Sequence, residues 1–135
     1  MSNEARIMAG IILLTIPTIE FGGTFLLSIL RGGNSQGFSD MQRSFFRAGH
    51  AHAGVLVILA LICQPLVDIT TMSSSLQWFV RLASVVAALL VSGGFFFAVL
   101  GNGNKPNGFI RLIYAGAALL AIYLIVLGIG LLTAV

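Results

Sequence analysis

The chain has 135 residues, of which 58% are hydrophobic and only 8% charged, against about 25% charged in an ordinary soluble domain. Seven Lys and Arg against four Asp and Glu give a formal charge of +3 and a pI near 9.8, but the basic residues lie at the edges of apolar runs. That placement makes them topology signals and excludes a nucleic-acid partner, and the lone Cys63 excludes a disulfide framework.

A bilayer crossing needs about 20 mostly apolar residues, and four such runs take up most of the chain. The first is expected over 7–30, between Arg6 and Arg31, with Pro17 bending it because a proline removes a backbone hydrogen bond. Residues 31–38 are glycine-rich and polar, and so read as a loop. Ser39-Asp40-Met41-Gln42 then matches a capping box, Ser39 at the N-cap and Gln42 three residues on. The second helix is therefore expected from Asp40 to about Asp68, carrying Arg43, Arg47, His50 and His52, with Pro65 perturbing its last turns. A third span follows over 76–100, with Trp78 and Arg81 as interface anchors at its start. Residues 101–108 form a turn, and a fourth span covers 109–132. The expected fold is all-α and a single domain, an integral membrane four-helix bundle running up and down. The two halves share no repeat, so an inverted-repeat transporter has no support.

Orientation follows the distribution of positive charge. Arg31, Arg43, Arg47, Lys105 and Arg111 flank the first and third connectors, while Arg6 and Arg81 lie on the other side. Loops 31–39 and 101–108 are thus expected in the cytoplasm of a bacterial inner membrane, with both termini outside.

The candidate site is the polar cluster at membrane depth. Ionisable side chains there are costly and usually functional. Glu20 lies ten residues before the end of the first span, and His50 ten residues into the second helix, so both sit roughly 15 Å from the same membrane face. Antiparallel neighbours joined by a short loop bring such positions to matching depth. Glu20 is expected to face the bundle interior, within direct or one-water reach of His50 or His52. The two histidines, two residues apart, are separated by about 200° on a regular helix, which brings both rings to one ion only if Gly49 permits a local distortion. Tyr114 and Tyr123 are possible hydrogen-bond partners for a buried acid, and Phe95-Phe96-Phe97 points in every direction and forms no one-sided cofactor box.

The segment Phe46-Arg47-Ala48-Gly49-His50-Ala51-His52-Ala53-Gly54 resembles the histidine-bearing helix starts of haem-copper oxidase and nitric oxide reductase catalytic subunits, and is similar to segments of NnrS membrane proteins. Those families place a histidine one or two turns into a span to ligate haem or copper. The resemblance covers about ten residues and leaves the other spans unmatched. Two histidines cannot supply both a bis-histidine haem and a three-histidine copper centre. The expected function is accordingly a metal- or haem-binding membrane protein, with His50, His52 and Glu20 as candidate ligands for haem or for copper, iron or zinc. A homo-oligomer or a larger membrane complex would complete the site. The competing expectations are a small oligomeric channel or proton-coupled carrier using Glu20 and His50, and an accessory subunit whose polar residues dock a partner. No nucleophile–base arrangement, phosphate loop or paired cysteines point to a hydrolase or disulfide enzyme.

Overall fold

Each apolar run is one uninterrupted helix in the computed structural model, which describes residues 1–32, 37–101 and 105–135. The helices are α1 (Asn3–Gly32), α2 (Asp40–Asp68), α3 (Ser74–Ala98) and α4 (Ile110–Leu132). All four are long and apolar enough to cross a membrane. Even α4, with 23 residues, is roughly 35 Å long at 1.5 Å per residue, longer than a hydrocarbon core of about 30 Å. The fold is thus an all-α, up-and-down bundle of membrane-spanning helices.

Helix starts follow local hydrogen bonding. At α2 the expected capping box is present: Gln42 N donates to Ser39 Oγ at 3.2 Å, and Ser39 N donates to Gln42 Oε1 at 3.0 Å. α1 begins four residues before the expected boundary. Its polar first turn is held by Ser2, whose Oγ accepts from Ala5 N at 3.0 Å and whose carbonyl accepts from Arg6 N at 3.1 Å. Both Pro17 and Pro65 lie inside continuous helices. The connectors expected at 31–39 and 101–108 fall in part on 33–36 and 102–104, which lie outside the described residues.

Packing follows chain order: α1 lies on α2, α2 on α3, and α3 on α4, with smaller α2–α4 and α1–α3 contacts. Among the described residues α1 and α4 do not touch, so the bundle is open along one side. α3 is central, with half of its apolar window buried against 6% for α1. The main core joins Cys63 and Val67 of α2 to Val80, Ala83 and Ala87 of α3 and Tyr123 and Leu127 of α4. Close approach of α3 and α4 depends on two glycines. A Cβ on Gly94 would lie 2.7 Å from Ile113 Cγ1, and one on Gly116 would lie 2.9 Å from Val91 N. Small residues at such crossings let membrane helices touch through their backbones.

Candidate functional site

α1 meets α2 along one stripe. Ala5, Met8, Ile12, Ile16, Ile19, Gly23 and Leu26 are buried or half-buried, at the three- and four-residue spacing of a single helix face. Glu20 stands one residue beyond Ile19, about 100° round the helix from that stripe, and is exposed. This differs from the expected inward orientation. The contact face of α1 is centred on Gly22 and Gly23 because those two glycines receive the His50 ring. A Cβ on Gly22 would lie 3.5 Å from His50 Nδ1, and one on Gly23 would lie 3.3 Å from Cε1 and 3.4 Å from Nε2. The imidazole rests in the space that missing side chains leave.

Glu20 and His50 nevertheless share a groove. With Ile16, Ile19, Gly54 and Ile58 they line a pocket of about 220 Å³ at the outer surface of the α1–α2 seam. No hydrogen bond joins the two among the described residues, so matching depth is realised without direct contact. Glu20 lies twelve residues from the C-terminal end of α1, or roughly 18 Å. Because α1, with 30 residues, is roughly 45 Å long and outruns a hydrocarbon core of about 30 Å, the distance from Glu20 to the membrane surface is shorter than that. An ionised carboxylate facing hydrocarbon is strongly disfavoured.

His52 points elsewhere, as the spacing requires. Its ring stacks on Phe95 with centroids 4.9 Å apart and planes at 29°, and Nδ1 lies 2.7 Å from the Ala48 carbonyl oxygen. A carbonyl only accepts, so in the neutral ring Nδ1 carries the proton and Nε2 keeps its lone pair. Among the described residues no three His, Cys, Asp or Glu side chains gather as a metal-binding group. Glu20, His50 and His52 therefore do not converge within one chain. Tyr123 is buried in the α2–α3–α4 core and Tyr114 is exposed on α4. Because α4 makes no contact with α1, neither tyrosine partners Glu20. Phe95 lies against Phe45 and His52, Phe96 against Phe46, and Phe97 against Phe109. The run serves four different ring contacts and no common box.

A second polar cluster escaped the sequence reading. Arg81, expected as an interface anchor, is 2% exposed, while Trp78 is 41% exposed. Arg81 Nη2 donates to Asp68 Oδ1 at 2.5 Å, and Nη1 donates to the Gln64 carbonyl at 2.7 Å. Asp68 also accepts from Ser2 N at 2.6 Å and from Ser2 Oγ at 2.7 Å. Gln64, fully buried, donates through Nε2 to the Ala60 carbonyl and to Ser84 Oγ. This knot ties the start of α1 to the end of α2 and the second turn of α3. The Met1 amino group also lies 4.0 Å from Asp68, so one carboxylate here serves two cations and joins three helices. The available signal was opposite charge across the short connector 69–73, with Gln64 one turn before Asp68 on the same helix face.

Comparison with known protein families, curated proteins and solved structures yields no match, and the residues themselves carry the functional reading.

Proposed function

We propose that this is a membrane-embedded metal-binding protein whose ligands are His50 and Glu20, with a second copy of the chain completing the coordination. One observation carries the reading: a carboxylate and an imidazole at matching membrane depth line the same outward-opening groove. Together these donors suit zinc, copper or iron, and a bound cation would also balance a carboxylate that hydrocarbon cannot tolerate ionised. Two ligands do not fill the coordination sphere of such an ion. A two-fold pairing across the open face of α1 would contribute two of each donor. His50 would bind through a neutral ring nitrogen and Glu20 through its carboxylate, while Ile16, Ile19 and Ile58 would keep water away. A bound transition metal would supply redox or Lewis-acid chemistry at that depth.

The groove is small beside the roughly 300–1,000 Å³ typical of pockets for drug-sized ligands, which favours an ion over haem within one chain. A channel or proton-coupled carrier would need other subunits to enclose a path, because the helices form an open row. Basic residues beside connectors 33–39 and 99–109, with Arg81 engaged by Asp68 on the opposite side, support an inner-membrane orientation with those connectors cytoplasmic and the termini outside.

Elemental analysis and a visible spectrum of the purified protein test the reading. The expected result is one transition-metal ion shared by two chains, lost in His50→Ala and Glu20→Gln and retained in His52→Ala. Metal lost only in His52→Ala would move the site to the Phe95 side of α2. A haem band would replace the ion, and co-purification of a larger complex without metal or haem would favour an accessory subunit.

A further inference from the structure

A separate pocket lies nearer the membrane surface, where the last turns of α1 meet the first turns of α2. It has a volume of about 210 Å³ and is lined by Leu26, Ile29, Leu30, Arg43 and Arg47. We infer that this pocket is a binding site for an anionic phospholipid, the two arginines holding its phosphate and the α1 aliphatic residues receiving the start of an acyl chain. The inference does not depend on a metal at His50.

Three features support that ligand class. Arg43 and Arg47 are four residues apart and so occupy one face of α2, with Cβ atoms about 5–6 Å apart. Two guanidiniums at that spacing can chelate the oxygens of a single phosphate. Their depth is also appropriate. From the helix start at Asp40 they lie roughly 5 and 10 Å along the axis, and α2 extends beyond the hydrocarbon at both ends because its 29 residues are roughly 43 Å long. The pair therefore brackets the boundary between headgroups and acyl chains. Finally, among the described residues the remaining wall is aliphatic and no carboxylate lines the pocket. A free anion would gain nothing from Leu26 and Leu30, whereas a lipid tail descending from its phosphate would cover them. Basic pockets between membrane helices are a recurrent way of holding such headgroups.

The test is native mass spectrometry of the detergent-purified chain titrated with phosphatidylglycerol, phosphatidylcholine and inorganic phosphate. Phosphatidylglycerol should bind in preference to phosphatidylcholine, and the double variant Arg43→Gln/Arg47→Gln should weaken it about tenfold or more. Arg111→Gln, a basic residue on α4 near the same membrane face and outside the pocket, should leave binding unchanged. Circular dichroism of each variant verifies that the helices persist, and Arg47→Lys, which keeps the charge but loses the fork, should lie between wild type and the double variant. Equal weakening by Arg111→Gln would show general surface attraction and overturn the site. Unchanged binding in the double variant, or displacement of the lipid by inorganic phosphate, would overturn it as well.

Discussion

The two polar clusters differ in every respect that membrane energetics weighs. Asp68 and Arg81 sit where α1, α2 and α3 converge, matched in charge and supplied with hydrogen bonds from Ser2 and to Gln64. Glu20 and His50 sit on the outer seam of the least buried helix, in a shared groove without a bond between them. An ionisable residue in a span is thus not one kind of signal. Where its partners come from the same chain it fastens helices together, and where no bond is made among the described residues, as between Glu20 and His50, it is the better candidate for binding. The first kind should register in stability and the second in binding.

The largest effect is expected from breaking the fastener. Arg81→Leu leaves Asp68 only the more distant and half-exposed Met1 amino group, 4.0 Å away, and removing one member of a buried pair costs about 3–5 kcal/mol. The partial exposure of the Asp68 side chain, 15%, places the loss at the lower end. Unfolding in detergent should show it. Combining Arg81→Leu with Asp68→Leu should recover much of that loss, because no buried charge is then left alone. If the double variant is as unstable as the single one, the knot is held by packing and the contrast with Glu20 fails.

A somewhat smaller loss should follow Gly116→Ala, whose Cβ would lie 2.7 Å from Val91 Cγ2 and 2.9 Å from Val91 N. Overpacking of this kind costs about 1–3 kcal/mol. The same unfolding assay should show the drop with metal content preserved, since the α3–α4 crossing is remote from the groove. Ser2→Ala removes a helix cap and one hydroxyl bond to Asp68, an effect of about 1 kcal/mol; proteolysis near the start of α1 should quicken accordingly. Smallest of all is Glu20→Gln. In the metal-free protein this near-isosteric change at an exposed position breaks no hydrogen bond to His50 and should alter unfolding by no more than about 0.5 kcal/mol. A large stability loss from Glu20→Gln would put it in the same class as Asp68.

Much of this was legible before folding was considered. The lengths of the apolar runs marked four helices, and Ser39 with Gln42 marked the start of α2 to the residue. The two-residue offset of His50 and His52 puts them on different faces of a regular helix, and α2 is regular through Gly49. Matching depth for Glu20 and His50 likewise followed from counting residues on either side of a short connector. These are properties of one helix, or of two helices measured along their axes.

Rotation about those axes was decided only by tertiary packing. Glu20 lies outside the seam because the α1 face packed on α2 runs through Ile19 and Gly23, where Gly22 and Gly23 receive the His50 ring, and one residue of displacement turns a side chain by about 100°. Arg81 looked like an interface anchor because its neighbour Trp78 and the span edge suggested it. Its burial depends on Asp68, Gln64 and Ser2 arriving from two other helices at once. A linear sequence specifies depth well because rise per residue is nearly constant. It specifies facing poorly because that depends on which of several apolar stripes pack best, a choice made jointly by all the helices in contact.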